Sequence, residues 1–342
     1  MKALVRDQIV ESDHGAAHQL DSTPSNTQLT RIFGLSVDAD VALTELPLVD
    51  AGRADLTVRS IATSPEPITW TRQWYAADGR LQLGAATSSQ GYILRFPGIG
   101  DFVISERPGM ISYRRDPTAA AASFRHALLD QVIPRALAQS GRLVLHASAV
   151  CGPTGALCLA GSPRQGKSTL AAALHHAGLA SCADDAVLVD LAPEGPVCWP
   201  AYPGVRVCTD SAAYFARTGP PVVVPTQSCE KLRLLYDAPV RTAVPEPIPL
   251  CGILILDRRE PSNANTLVAI RLTDLSASQV AACVMTHMFK LDIKDRLTLS
   301  GMLAQVAALA NALPVLRLEY PSGYEHLPVV CEHIRSFLAS CN

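Results

Sequence analysis

The stretch Ala-Leu-Cys-Leu-Ala-Gly-Ser-Pro-Arg-Gln-Gly-Lys-Ser-Thr, residues 156–169, decides how the rest of the sequence is interpreted. Its first five residues predict a short buried strand. After the loop, the spacing of Leu170, Leu174 and Ala177 predicts a helix, and Gly178 supplies its end. The loop fits the pattern G-x-x-x-x-G-K-[ST], which binds phosphates. A surface turn before a helix is the alternative, and the strand and helix on either side count against it.

The predicted nucleotide-binding residues are contiguous. They are Gly161, Ser162, Pro163, Arg164, Gln165, Gly166, Lys167, Ser168 and Thr169. In such a loop the backbone N–H groups surround the phosphates, a lysine contacts the β- and γ-phosphates, and a hydroxyl binds Mg²⁺. Lys167 and Ser168 take the last two roles, so the loop predicts binding of ATP with Mg²⁺. Because phosphate loops serve many reactions, the chemistry has to be inferred from neighbouring residues.

The composition is that of a globular protein. The 342 residues suffice for two domains of ordinary size, and 48% hydrophobic against 18% charged residues can fill a sizeable core. The 29 Lys and Arg are balanced by 31 Asp and Glu, which argues against nucleic acid as a partner. No run of about 18 uncharged apolar residues predicts a membrane helix, and no signal-peptide pattern opens the chain. We therefore expect a cytoplasmic protein without membrane attachment.

Gly, Pro and turn residues divide the chain into three parts. Residues 1–28 are polar and predict a flexible tail. Residues 29–118 hold short apolar runs between turns, which predicts a small β-rich N-terminal domain. Residues 119–342 start with a helical pattern at 119–139 and then mix strands with helices, which predicts an α/β catalytic domain. The other elements predicted there are strands at Leu143–Ala149, Ala156–Ala160 and Ile253–Leu256 and helices at Thr169–Ala177, Ser276–Met288 and Leu299–Leu313.

Acidic residues next to predicted strands can supply the second metal ligand and the general base that phosphoryl transfer needs. Three positions qualify: the pair Asp184-Asp185, Asp190, and Asp257 at the end of Ile253–Leu256. An adjacent pair can divide the two tasks, whereas a lone aspartate can only bind metal. A turn or N-cap aspartate is the structural alternative at each position, so the residues alone leave the choice open.

Four more polar residues are candidates for the neighbourhood of the phosphates. His146 interrupts an apolar strand, where a lone histidine is more often a hydrogen-bonded structural residue than a catalyst. Arg206, Lys231 and Arg233 carry charge that can stabilise a transferred phosphoryl group, with a solvated basic face as the alternative.

Three segments, in this order, resemble the catalytic domain of HPr kinase/phosphorylase and its relatives: residues 145–150, the loop from Gly161, and Ala183-Asp184-Asp185. The resemblance implies an α/β fold of the PEP-carboxykinase-like kind with a P-loop. It implies that Asp184 is the general base for the acceptor hydroxyl and that Asp185 binds the metal with Ser168. It also implies that His146 orients or tunes the carboxylate. The predicted catalytic residues are Asp184, His146 and Lys167, and the predicted metal ligands are Ser168 and Asp185. The resemblance makes Asp257 a weaker candidate for the metal ligand than the Asp pair.

The front of the chain is similar to a narrower group. Arg31–Leu35 and Leu43–Pro47 look like HPr-kinase-like enzymes that tailor lasso peptide precursors. The Arg- and Asn-rich segment that HPr kinases carry beyond the Asp pair is not found, which argues against phosphorylase activity. The resemblance thus implies a kinase that phosphorylates a Ser or Thr hydroxyl of a peptide or small protein, foremost a lasso peptide precursor. An HPr-type phosphocarrier kinase, a nucleotide-sensing module and a simple ATPase or small-molecule kinase stay open, as does homo-oligomer formation.

Overall fold

The computed structural model describes residues 29–49, 52–76, 78–217, 222–225, 231–236, 246–260, 269–291 and 296–341. The predicted tail, residues 1–28, lies outside them. The strands are β1 (Leu29–Ile32), β2 (Leu35–Ala39), β3 (Leu48–Val49), β4 (Leu56–Ser60), β5 (Thr69–Tyr75), β6 (Leu81–Ser88), β7 (Gly91–Phe96), β8 (Gly100–Ser105), β9 (Met110–Arg115), β10 (Leu143–Leu145), β11 (Ala147–Gly152), β12 (Gly155–Ala160), β13 (Ala180–Ala183), β14 (Val187–Ala192), β15 (Gly195–Trp199), β16 (Gly204–Cys208), β17 (Val222–Pro225), β18 (Lys231–Leu235), β19 (Ile248–Arg259), β20 (Arg271–Asp274) and β21 (Val315–Pro321). The α-helices are α1 (Ala121–Ala127), α2 (Ile133–Gln139), α3 (Lys167–His176), α4 (Thr209–Phe215), α5 (Ala277–His287), α6 (Arg296–Ala312) and α7 (Leu327–Ala339). None of the described helices is long and apolar enough to cross a bilayer.

The β-rich pattern predicted at the front of the chain corresponds to a mixed sheet of β1 to β9. Within the described residues its order is β3-β1-β2-β4-β9-β8-β7-β6-β5. Phe102 of β8 and Tyr113 of β9 point to the same face, where they pack on Phe124 of α1 with ring centroids 5.1 and 4.8 Å away. That face is buried because apolar residues alternate along the strands. A domain boundary near residue 118 stays a prediction.

The helical pattern predicted over 119–139 forms α1 and α2, joined by a π-helical turn at Leu128–Val132. Pro134 has no N–H to donate to the carbonyl four residues earlier, and the wider turn before it accommodates the missing hydrogen bond. The turn carries Asp130, which is buried.

A second sheet holds the loop. Its order, in the part of the chain that is described, is β10-β14-β15-β19-β12-β11-β13, with β21 beside β19 and β20 beside β21. The first residues of β19 pair antiparallel with β15, and its later residues run parallel to β12 and β21. The carboxyl ends of these three parallel strands therefore meet at one edge, where open α/β sheets bind ligands. The predicted strand Ala156–Ala160 and the predicted helix after the loop are confirmed as β12 and α3.

The strand predicted over Leu143–Ala149 is wrong as one element, because the structure divides it at His146. Before this residue β10 pairs with β14, and after it β11 pairs with β12 and β13. The backbone N–H of His146 instead donates to the carbonyl of His287 at the end of α5, over 2.6 Å. The break depends on a partner distant in sequence, so the continuous apolar run does not reveal it.

The proline-rich stretch 194–250 contains more regular structure than its turn signals predict. It holds β15, α4 and the small sheet β16-β18-β17. The helices predicted at 276–288 and 299–313 are observed as α5 and α6.

A continuous hydrophobic core joins the two large sheets. A single cluster of buried side chains includes Phe33 and Val37 from the front sheet region, Leu145 and Leu188 from β10 and β14, and Ile253 from β19. On the other side of β12, Leu157 and Leu159 belong to the cluster that contains the apolar faces of α3 and α7.

Candidate active site

The loop between β12 and α3 has the backbone shape that the glycine positions predict. Gly166 is left-handed, with φ of +86°, and directly precedes α3. A Cβ at this position would lie 2.7 Å from the hydroxyl oxygen of Tyr320, so a larger residue would collide as well as being strained. No side chain caps the helix at Gly166, so the first-turn N–H groups of α3 are left for a ligand. A helix N-terminus with unbonded N–H groups behind a glycine-containing loop is suited to binding a phosphate group.

Two residues outside the loop brace it. The hydroxyl of Tyr320 donates to the carbonyl of Gln165 over 2.5 Å. The side-chain oxygen of Gln165 accepts the backbone N–H of Arg258 over 2.6 Å. The loop is thus fixed to β19 and to β21, its two parallel partners at this edge of the sheet.

The side chain of Lys167 bends back over the loop. Its Nζ donates to the carbonyl of Gly161 over 2.8 Å and lies 3.5 Å from that of Ser162. Burial lowers the pKa of Lys167, while Asp185 and Asp184 act in the opposite direction. The ammonium group therefore lies between the loop and the carboxylate pair, where it can contact a nucleotide phosphate.

Asp184 lies at the centre of the site and is 2% exposed. Its Oδ1 accepts hydrogen bonds from the hydroxyls of Ser148, over 2.5 Å, and Ser168, over 3.0 Å. Its Oδ2 accepts the backbone N–H of Arg206 over 2.7 Å. Burial and the neighbouring charge of Asp185 raise the pKa of Asp184 to about 6. A carboxylate with this pKa can take up a proton near neutral pH, which is what a general base requires.

Asp185 has a different environment. It adopts a left-handed backbone conformation, φ +61°, which turns its carboxylate toward Arg206, whose Nη1 donates to it over 2.8 Å. Burial alone would raise the pKa of Asp185, but the charge of Arg206 holds it well below its ordinary value. Asp185 thus keeps its negative charge, whereas Asp184 can exchange a proton. The two carboxylates can therefore divide the work, with Asp184 in acid–base chemistry and Asp185 as a fixed negative charge.

The sequence paired Ser168 with Asp185 at the metal, but the carboxylate that the structure places against the Ser168 hydroxyl is that of Asp184. The other two acidic candidates have partners elsewhere. Asp257 forms an ion pair with Arg259 over 2.7 Å. Asp190 accepts from Arg142 and from the indole N–H of Trp199, both over 2.6 Å.

His146 contacts the Asp pair through the backbone. Its Nδ1 lies 2.9 Å from the carbonyl oxygen of Asp185, an acceptor, so Nδ1 carries the proton. Burial lowers the pKa of His146, which keeps the ring neutral and leaves Nε2 as an acceptor. Nearby, burial and the charge of Lys167 lower the pKa of His287 to about 4.

The predicted role of Arg233 at the phosphates is wrong. Arg233 is 1% exposed, and its guanidinium donates to Glu45 over 3.0 Å and also to Asp130. Tyr202 donates to Asp130 as well, over 2.6 Å. Arg206 is likewise committed to Asp185, whereas the charge of Lys231 acts on Asp184, Asp185 and Lys167. Of the three cations, Lys231 is the one that stays a candidate for contact with phosphate.

A buried cluster of His126, Asp130 and Asp185 has ligand atoms within 4.8 Å of one another, close enough to hold a metal ion. Guanidinium groups already neutralise both of its carboxylates, Arg233 at Asp130 and Arg206 at Asp185. An ion pair with arginine is the structural role that these contacts support.

Sequence reasoning missed three residues of the site: Ser148, Tyr320 and His287. Ser148 could have been found, because it follows His146 by two residues in an extended segment and so points to the same side. Tyr320 and His287 lie more than a hundred residues from the contacts that they make with Gln165 and His146, so nothing in the local pattern marks them.

The comparisons with known proteins add little to this geometry. No protein-family model matches the chain, and no curated protein does. Among solved structures, the Hpr(Ser) kinase/phosphatase from Coxiella burnetii matches at 10% identity with a TM-score of 0.29, over 56% of this chain and 88% of that one. At that TM-score the match carries no argument about fold or function.

Proposed function

We propose that this chain is an ATP- and Mg²⁺-dependent kinase that transfers a phosphoryl group to a Ser or Thr hydroxyl of a peptide or protein. One observation carries the proposal: the buried carboxylate of Asp184, whose pKa is raised by burial and by the charge of Asp185, lies 3.0 Å from the hydroxyl of the loop residue Ser168. A loop that only senses nucleotide needs a metal ligand there, whereas transfer of the phosphoryl group to a hydroxyl or to water also uses a base.

The residues divide the work of transfer. The ammonium group of Lys167 and the first-turn N–H groups of α3 hold the β- and γ-phosphates. Asp184 takes the proton of the acceptor hydroxyl. The oxygen of that hydroxyl forms a bond to the γ-phosphorus, and the bond between the γ-phosphorus and the bridging oxygen of the β-phosphate breaks. Ser168 with one carboxylate of the Asp pair would hold Mg²⁺, which would neutralise charge on the phosphate oxygens. Nε2 of His146 can accept a hydrogen bond that orients the acceptor.

The choice of a lasso peptide precursor as acceptor rests on Arg31–Leu35 and Leu43–Pro47. In the structure, residues of these segments have packing and pairing roles: Leu43 and Leu46 are buried, and Glu45 pairs with Arg233. On the resemblance of these two segments, the precursor peptide is the acceptor that we propose first. An HPr-type protein is the second.

A nucleotide-sensing module is a competing function with an observation of its own. The chain of buried contacts Asp185–Arg206 and Asp130–Arg233–Glu45 runs between the loop region and the front sheet, so nucleotide binding could change a surface far from the loop. A sensor of this kind needs Lys167 to bind nucleotide but does not need a base at Asp184.

One experiment separates these functions. The protein is incubated with ATP, Mg²⁺ and either Ser- and Thr-containing peptides or an HPr-type protein, and the acceptors are weighed by mass spectrometry. A kinase adds phosphate, and its D184N variant binds ATP but loses transfer. Unmodified acceptors with every peptide and protein would refute the proposal, and release of ADP without modification of any acceptor would point to a simple ATPase or a small-molecule kinase.

A further inference from the structure

Arg135 of α2 is a buried cation between two aromatic rings. It is 9% exposed, and its guanidinium carbon lies 5.0 Å from the ring centroid of Phe289 and 5.8 Å from that of Trp74. Its Nη1 donates to the backbone carbonyl and the side-chain oxygen of Gln131, each over 2.9 Å. Its Nε is enclosed and has no hydrogen-bond partner among the described residues.

Arg135 has no counter-ion among the described residues. The charge that acts on it is the like charge of Arg72, and burial together with this repulsion lowers the pKa of Arg135 to about 10. A third cation is close by, since burial and the charge of Arg72 also lower the pKa of Lys290. The other buried arginines in the described part of the chain, Arg206 and Arg233, are each bonded to a carboxylate.

A buried guanidinium without an anion is costly, because desolvation of a charge is offset only by a partner of opposite charge. The two aromatic rings hold the guanidinium of Arg135 in a fixed orientation, and its Nη2, which makes no hydrogen bond to a described residue, is left to donate to a carboxylate. The cluster of Arg135, Arg72 and Lys290 therefore has the chemistry of an anion site that the described part of the chain leaves without its anion.

We propose that Arg135, held between Trp74 and Phe289, binds a carboxylate of the acceptor peptide and so sets which acceptors the enzyme takes. The inference rests on the proposed kinase function for its biological meaning, but the carboxylate site itself does not. The carboxylate comes from an acidic side chain or from the free C-terminus of the peptide.

The position of the site favours an extended peptide as its occupant. Trp74 belongs to β5, which lies at the edge of the front sheet and has β6 as its described neighbour. Trp70 and Tyr75 of the same strand are 39% and 56% exposed. An edge strand with exposed aromatic side chains can bind an extended peptide as an added strand.

The site is also connected to the candidate active site. The ring of Phe289, which covers Arg135, packs edge-on against His146 with centroids 6.0 Å apart. His146 in turn contacts Asp185 next to Asp184. A carboxylate on Arg135 would thus anchor the acceptor on the side of the site where His146 lies.

The first experiment measures binding without nucleotide, by fluorescence anisotropy of three labelled decapeptides. One alternates Thr and Glu and has an amidated C-terminus, one alternates Thr and Gln with a free C-terminus, and the third alternates Thr and Gln with an amide. We expect the wild-type protein to bind at least one carboxylate peptide about tenfold more tightly than the third peptide, and R135M to lose that difference. The first peptide tests side-chain carboxylates and the second the C-terminus. Equal dissociation constants for wild type and R135M with all three peptides would overturn the proposal.

Three further variants keep this result interpretable. R135K retains the charge but not the planar fork, and we expect it to lose part of the preference. R335Q changes an exposed arginine of α7 and should bind as the wild type does. Asp292 and Asp295 follow Lys290 in the chain and lie outside the described residues; if D292N/D295N binds the carboxylate peptides tenfold more tightly, the chain's own carboxylates occupy the site and the proposal is wrong.

Thermal unfolding distinguishes a binding role from a structural one. If Arg135 were present for its packing between the rings, R135M would lower Tm, whereas a binding residue without a counter-ion should leave Tm unchanged or raise it. The second experiment repeats the phosphorylation assay with acidic and neutral peptides. If peptide binding depends on Arg135 but no acceptor is phosphorylated, the carboxylate site stands and the kinase function is refuted. If acceptors are phosphorylated without preference for acidic side chains or a free C-terminus, the kinase function stands and the carboxylate site is refuted.

Discussion

Replacing Asp184 by Asn removes the charge of the central carboxylate while keeping its size. The backbone N–H of Arg206 can still donate to the remaining Oδ1 of the asparagine. The hydroxyls of Ser148 and Ser168 can turn and accept hydrogen bonds from the new amide, because a hydroxyl is both donor and acceptor. D184N therefore removes the titrating group without leaving a buried polar atom unpaired.

The pKa of Asp184 fixes the direction and size of the stability change. Its rise from 3.8 to about 6 means that the native state binds the proton more tightly than the unfolded chain does. The wild-type protein therefore loses stability as pH rises from about 4 to above 6, by on the order of 3 kcal/mol. D184N does not lose it, so its free energy of unfolding should exceed that of the wild type by up to that amount at about pH 8 and by little at about pH 4.

The same substitution should reduce catalysis. Loss of a general base typically lowers turnover about 10²- to 10⁴-fold, and ATP binding should be retained because Lys167 and the loop are unchanged. In the wild-type protein turnover should fall as pH drops below about 6, since a protonated Asp184 cannot accept the proton of the acceptor.

Urea unfolding at about pH 4.5 and about pH 8, with ATP binding and turnover at the higher pH, tests these statements together. D190N is the matched control, because Asp190 is bonded to Arg142 and Trp199 away from the loop. A stability difference between D184N and wild type that is the same at both pH values would refute the electrostatic reasoning. Turnover of D184N within about threefold of the wild type would refute the assignment of the base.

Other substitutions test the loop and the buried contacts. K167M should weaken ATP binding at least about tenfold, measured by titration calorimetry, because a hydrogen bond to a charged group contributes about 1.5–3 kcal/mol; unchanged affinity would contradict the assignment of the phosphate site. G166A should destabilise the protein by about 1–3 kcal/mol through backbone strain, and adding Y320F should relieve the collision with the hydroxyl but not the strain at φ +86°. E45Q should lower the free energy of urea unfolding by about 3–5 kcal/mol, because it leaves Arg233 partly unpaired in the interior, and a loss below about 1 kcal/mol would show that the pair matters little.

The sequence predicted the features that depend on neighbouring residues. The loop, β12 and α3 follow from glycine positions and from apolar periodicity within about twenty residues, and these local signals are the strongest that a sequence offers. Asp184 and Asp185 could be selected as a pair because they are adjacent in the chain.

Contacts between distant segments could not be predicted in this way. Glu45 and Arg233 are 188 residues apart, so a cation that seemed suited to phosphate proved to be part of a buried ion pair. The break in the strand at His146 depends on a hydrogen bond to the end of α5. The left-handed backbone at Asp185 gives the carboxylates of Asp184 and Asp185 different partners, which their adjacent positions in the sequence do not predict. Partner choice, and not residue type, decides these roles.

The continuous core has a consequence for how the gene can be cut or recombined. A fragment that begins at residue 119 would uncover the apolar side of Leu145 and Leu188 that Phe33 and Val37 share in the whole protein. Such a fragment should aggregate when it is expressed alone, even though it contains the entire loop and the Asp pair. A front sheet exchanged for that of another protein would have to bring its own matching apolar face, so a chimera needs both sides of this core to be designed together.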